Sequence, residues 1–79
     1  MSRRKIAEEI VKVIRENKDI TKNKLIQEVS KRQRVGSSTI RDLLSQLYIL
    51  GVVGYKVIQR AQVHYVNEEK MGELRKIGK

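Results

Sequence analysis

The chain has 79 residues, no cysteine, no proline, a single histidine and a formal net charge of +9. A chain of this length makes one domain, residues 1–79. It buries only about 60% of its unfolded surface, so stability is marginal and extra burial, for example in a dimer, is welcome. The composition excludes a disulfide framework, a cysteine metal site and a zinc site built from histidines, and no apolar run approaches the roughly 20 residues that span a bilayer.

The spacing predicts a first helix over about 3–16, with Ile6, Ile10, Val13 and Ile14 in one stripe widened by Ala7 and Val11. Glu8 and Lys12 sit four apart on its wet side in the favourable order. Asn17-Lys18-Asp19 reads as a turn, Ile20 as a very short strand, and Thr21 as the N-cap of a second helix over about 22–32. Leu25, Ile26 and Val29 face inward there. Its end carries Lys31, Arg32 and Arg34. Two readings of this cluster stand side by side: cations in a last turn are favoured by the helix dipole, and three cations in four positions suit phosphate contact.

Val35 is isolated and apolar, a plug between helices. Gly36-Ser37 forms a turn and cap, and a third helix runs from Ser37 or Ser38 to Leu50, ended by Gly51. Val52 to Gln59 and Val63 to Val66 are rich in β-branched and aromatic residues and read as two strands of a hairpin, turning at Arg60-Ala61-Gln62. Asn67 caps a last short helix over 67–77, with Glu68 and Glu69 in its first turn and Met71, Leu74 and Ile77 three apart. That helix packs on its own domain or on a second subunit. Residues 1–2 and 78–79 are expected to fray.

The third helix carries the most information. Ile40, Leu43, Leu44 and Leu47 form its apolar side, whereas Ser38, Arg41, Asp42 and Ser45 make a short polar side. A helix with a smooth polar face suits a DNA major groove. The charge agrees: residues 30–62 hold six basic groups against one acid, +5, while residues 1–29 hold eight against five and residues 63–79 hold four against three. Charge of this sign attracts polyanions.

The order helix, short strand, helix, turn, helix, hairpin resembles the winged helix-turn-helix family of DNA-binding domains. The run from Ser38-Thr39-Ile40 through Leu43, Leu47 and Leu50-Gly51-Val52-Val53 is similar to that family's recognition helix and the start of its wing. Asp19-Ile20-Thr21 followed by Lys24-Leu25 resembles the opening of its second helix. The chain departs from the family's pattern in a longer segment between Val29 and Val35 and in a wing tip without glycine. The resemblance covers residues 3 to about 67. It implies a mainly α fold with a small β-hairpin: a three-helix core, a wing of two or three strands and a short C-terminal helix.

The resemblance further implies that the helix over 37–50 enters the major groove of double-stranded DNA. Ser37, Ser38 and Thr39 would meet a phosphate at its N-terminal end. Arg41 would read guanine O6 and N7, and Ser45 a base or a phosphate. Asp42 accepts from cytosine, or orients Arg41 or a neighbouring cation. Lys31, Arg32 and Arg34 would clamp the backbone, Arg60 and Gln62 would reach the adjacent groove, and Lys56 would touch phosphate. The function expected is transcriptional regulation, as a homodimer on a pseudo-palindrome.

Tyr55 and Tyr65, on facing strands, read as hairpin packing, with stacking on unpaired bases as the alternative. Tyr48 and Ile49 lie off the core stripe, covering the hairpin or a dimer surface, and His64 reads as a strand residue without chemistry. No catalytic constellation, phosphate loop or metal set is legible, so no enzyme activity, cofactor, metal or small-molecule substrate is expected. The competing function is a protein–protein module using Tyr48, Ile49, Met71 and Leu74, or a non-specific DNA or RNA binder. The basic start Met1 to Lys5 leads into an amphipathic segment and not a signal-peptide core. The expected location is the cytoplasm, at the nucleoid, or a host's cytoplasm if the chain is viral. The composition fits a heat-adapted archaeal or viral source.

Overall fold

The computed structural model describes residues 2–78. It is mainly helical with one small antiparallel hairpin: α1 (Arg3–Glu16), α2 (Lys22–Gln33), α3 (Ser37–Leu50), β1 (Val53–Ile58), β2 (Ala61–Val66) and a 3₁₀ helix (Glu68–Lys76). Three amphipathic helices bury their stripes against one another. Ile6, Ala7, Ile10, Val11, Val13 and Ile14 of α1 meet Leu25, Ile26 and Val29 of α2 and Ile40, Leu43, Leu44 and Leu47 of α3 in one core. Val35 is half-buried at the rim of that core, a partial plug between α2 and α3.

The helix ends show how the chain changes direction. Asn17 closes α1 by donating from Nδ2 to the Val13 carbonyl at 2.9 Å. Thr21 stands at the N-cap of α2, but its side chain makes no capping bond there. Helix α2 extends one residue past the expected Arg32 and stops because Arg34 takes a left-handed conformation, φ 54°. Ser30 Oγ then donates to the Val35 carbonyl at 2.7 Å, fastening the loop to the helix it leaves. Gly51 ends α3 at φ 79°, with Gly51 N–H bonded to Tyr48 O and Val52 N–H bonded back to Leu47 O. That 6→1 and 5→2 pair needs a residue in the left-handed region, which glycine enters without steric cost.

The hairpin departs from expectation at its turn. Ile58 pairs with Ala61, so Gln59 and Arg60 alone form the turn, and Ala61 and Gln62 belong to β2. Both turn residues have positive φ, 49° and 68°, as a two-residue turn of the type I′ class requires to match strand twist. The expected short strand is reduced to a bridge, Thr21 against Val63, with His64 N–H donating to the Ile20 carbonyl at 3.0 Å. Tyr55 and Tyr65 do not pack on each other. Tyr65 stands opposite Gly54, where an added Cβ would meet its ring at 2.5 Å, while Tyr55 stands opposite His64 on the other face.

Asn67 caps the last helix as expected, Oδ1 accepting from Glu69 N–H at 3.3 Å. That helix is 3₁₀, for a physical reason: Met71, Leu74 and Ile77 recur every three residues, and side chains three apart eclipse only in a three-residue turn. Leu74 and Ile77 are buried and Met71 is packed against the core, so this helix covers its own domain. Arg4 fixes its end, donating from Nε to the Ile77 carbonyl at 3.1 Å and from Nη2 to the Arg75 carbonyl. Of the ends expected to fray, Met1 and Lys79 lie outside the described residues. Ser2 serves as the N-cap of α1, and Gly78 lies against the backbone of Arg4.

Candidate nucleic-acid interface

Helix α3 is held from beneath by four residues with no exposed surface, Ile40, Leu43, Leu44 and Leu47. At 3.6 residues per turn this leaves Ser38, Ser45 and Ile49 in one line along the outside. Ser37, Ser38, Arg41, Asp42 and Ser45 are all exposed, and Thr39 is half-buried. Arg41 flanks the line on the side of Tyr48, whose ring meets Tyr55 of β1 edge-on at 5.4 Å between centroids. Asp42 and Gln46 flank it on the other side, toward α1. The outer face of α3 is thus open along its length, with a free guanidinium near the hairpin and hydroxyls at its N-terminal end.

Asp42 is not free. Its Oδ2 accepts from Arg3 Nη2 at 2.6 Å and from Gln46 Nε2 at 3.3 Å. Of the roles left open for it, the structure shows the pairing with a neighbouring cation. That cation is Arg3, 39 residues away, and no local spacing could have revealed it. Arg3 brings a positive group to the edge of the α3 face, so Asp42 is neutralised where a polyanion would approach.

The basic cluster at the end of α2 divides. Arg32 turns away from α3 and toward α1, where Nη1 lies 3.1 Å from Glu9 and 2.8 Å from Glu16, and Nε lies 3.2 Å from Glu28. Bonds to these carboxylates, Glu16 first, raise the affinity of the Arg32 guanidinium for its proton. The expected backbone clamp therefore loses Arg32, which is committed to an internal network. Lys31 and Arg34 are exposed and carry no ion pair among the described residues. Arg32 thus has carboxylate partners that neither reading foresaw, while Lys31 and Arg34 stay exposed.

On the hairpin, Arg60 occupies the tip and is exposed. Gln62 is a strand residue opposite Val57, beside a recess of about 400 Å³ formed with Thr21, Lys22, Asn23 and Ala61. Lys56 does not join α3. Strand alternation puts it on the face away from Tyr55. There it borders a recess of about 440 Å³ with Ile14, Arg15, Lys18, Tyr65 and Glu68. Arg15 and Glu68 in that recess are already paired, a bond that holds the Glu68 carboxyl below the ordinary range.

One linkage was invisible in the sequence, which places His64 in a strand but gives it no partners. His64 is buried, and its Nδ1 lies 3.2 Å from the Ile20 carbonyl while Nε2 lies 2.6 Å from Tyr48 Oη. A carbonyl only accepts, so Nδ1 carries the proton and Nε2 accepts from the tyrosine hydroxyl. Burial, with the Lys22 charge adding to it, lowers the pKa of His64 against the opposing effect of the Ile20 bond. Burial and the neighbouring Tyr55 push Tyr48 up to about 12. This linkage ties the segment before α2, strand β2 and helix α3 at one point and fixes the hairpin relative to α3.

The apolar surface anticipated for protein contacts is largely consumed: Leu74 is in the core, Met71 packs on it, and Tyr48 is half-buried under the hairpin. The large exposed apolar side chains are Ile49, 84% exposed, and Tyr55, Val57, Ile58 and Tyr65 on the hairpin. Among the described residues no group of three or more His, Cys, Asp or Glu side chains is placed to hold a metal, and no helix is long and apolar enough to cross a membrane. No family model, no curated protein and no solved structure matches this chain.

Proposed function

We propose that this chain is a winged helix-turn-helix protein that binds double-stranded DNA in the cytoplasm and regulates transcription, with α3 in the major groove and the hairpin as its wing. The observation that carries the reading is the outer face of α3. Ser38, Arg41 and Ser45 are exposed on a helix whose opposite side is sealed into the core, and nothing among the described residues covers them. An open cylinder of this width fits a groove about 12 Å across, and a guanidinium on its flank matches guanine O6 and N7. Lys31 and Arg34 at the end of α2 and Arg60 at the hairpin tip supply the flanking positive charge, while Arg3 cancels the charge of Asp42. Their role is to hold register on the phosphates while Arg41 reads sequence. Arg60 holds a left-handed backbone at the exposed tip, as the two-residue turn requires.

Selection of bound duplexes from a random pool at a stated salt concentration tests the reading. A shared motif is expected. On that motif Arg41→Ala loses about 1–3 kcal/mol, and on random duplex far less. Equal losses on both leave a non-specific nucleic-acid binder, and no retained duplex at all leaves a protein-interaction module.

A further inference from the structure

We propose that Ile49 determines specificity by meeting the methyl group of a thymine in the major groove, on the same duplex whose guanine Arg41 contacts. The proposal rests on the reading of α3 as a major-groove helix, and it names one further base that this helix reads. Ile49 is 84% exposed, more than any other large apolar side chain among the described residues. Exposure of one apolar residue is ordinary on a surface; its place on α3 is what distinguishes it. Helical periodicity sets Ser38, Ser45 and Ile49 within about 40° of one another around the axis, opposite the buried stripe of Ile40, Leu43, Leu44 and Leu47. The second half of that outer face is uncharged, with Ser45, Gln46, Tyr48 and Ile49 and no basic residue in the last turn. Base edges in the major groove present donors and acceptors to polar side chains, but only one apolar group, the thymine methyl. A branched hydrocarbon on the groove-facing line therefore has one complementary partner. Any other base edge at the same place would give up hydrogen bonds to water and gain none.

The end of α3 that carries Ile49 is suited to lie beside a polyanion. The last carbonyls of a helix carry partial negative charge and repel phosphates. Here Gly51 N–H and Val52 N–H bond to the Tyr48 and Leu47 carbonyls, which removes two of them from the surface. The stem of Lys70 lies against Gly51, where an added Cβ would be 3.6 Å from Lys70 Cγ. Lys70 makes no ion pair among the described residues, so it brings a positive charge to this end of the helix. At a rise of 1.5 Å per residue, Ile49 lies about 12 Å along α3 from Arg41, the length of about three to four base pairs.

The test uses the duplex motif selected on the full chain, at one salt concentration. Each thymidine of the motif is replaced in turn by deoxyuridine, which lacks only the methyl group, and affinity is measured by fluorescence anisotropy. One position, about three to four base pairs from the guanine that Arg41→Ala ceases to read, is expected to weaken the parent chain about fourfold, the effect of one buried methyl group. The same replacement leaves Ile49→Ala unchanged, because the methyl group no longer has a partner there. Selection repeated with Ile49→Ala relaxes that position and keeps the guanine. Alanine is the better helix former at an exposed site, so the variant folds, which its melting temperature checks. A deoxyuridine penalty equal in the parent and in Ile49→Ala, or no penalty at any thymine, overturns the proposal and leaves the major-groove reading intact. A free chain whose sedimentation coefficient drops in Ile49→Ala also overturns it, since the side chain then belongs to a contact between copies. Absence of any shared motif overturns both.

Discussion

At the scale of single residues, chemically identical side chains part company according to what they face. Arg32 and Arg34 lie two positions apart at the end of the same helix, yet one guanidinium is enclosed by three carboxylates and the other is open to solvent. Counterion release makes this difference measurable. If Lys31 and Arg34 touch phosphate, replacing either by alanine flattens the log–log salt dependence of DNA binding by about 0.9, whereas Arg32→Ala leaves the slope unchanged. Equal slopes for all three variants would return Arg32 to the surface clamp. His64 makes a second prediction. Its pKa is lower in the folded chain than the ordinary 6.5. As pH falls below 6.5, the unfolded chain takes up a proton that the native chain refuses, so stability declines through that window. The melting temperature is expected to fall from pH 7 toward pH 5 in the parent chain and to stay flat in His64→Gln. The Glu68 and Glu73 carboxyls, both held low by cationic partners, lose their contribution only below about 4.5, so the two effects separate on the pH axis. A parallel decline in the His64 variant would refute the assignment.

At the scale of elements, the hairpin turn shows a local rule broken. Gln59 and Arg60 both hold positive φ, where Asn-Gly is the favoured pair, and each side chain in the left-handed region costs on the order of 1 kcal/mol. The double change Gln59→Asn with Arg60→Gly should therefore stabilise the chain by about 1 kcal/mol in urea unfolding. If Arg60 contacts DNA as proposed, the double change also weakens DNA binding through loss of the Arg60 charge, while Gln59→Asn alone keeps affinity. Unchanged affinity in the double variant would remove the tip from the interface. The same turn explains a misplacement: without an Asn-Gly signal, the composition of Arg60-Ala61-Gln62 points to a turn that starts one residue late and ends two residues late, and Gln62 moves from tip to strand. The C-terminal helix shows the reverse situation. Its three-residue apolar repeat was visible in Met71, Leu74 and Ile77, and the packing of that repeat on the core decides its 3₁₀ winding.

At the scale of the whole molecule, a chain of 79 residues has little stability to spare, about 4–12 kcal/mol at the usual density per residue. The three-helix core is closed by a segment from the far end of the sequence, with Leu74 and Ile77 buried and Arg4 bonded to the carbonyls that follow. Ile77→Ala empties a site that is 1% exposed. It should cost about 2–5 kcal/mol, a large share of the total, measured as a lower urea midpoint with an unchanged slope. A loss below 1 kcal/mol would mean that the 3₁₀ helix is only loosely applied to the core.

The sequence by itself determined the three helices and their inward faces, because apolar spacing at 3.6 residues is a local property carried by residues such as Ile40, Leu43, Leu44 and Leu47. It determined the glycine stop at Gly51 and the outward position of Arg41 and Ser45 for the same reason. Tertiary structure alone decided which cations are free, since that depends on pairs such as Arg3 with Asp42 and Arg32 with Glu9, Glu16 and Glu28, brought together from distant positions. It also decided that Lys56 faces away from α3, that His64 joins three segments, and that the outer edge of β2 is closed by the bridge from Thr21 to Val63. Burial follows local periodicity, whereas charge pairing and edge closure are settled only when separate elements meet.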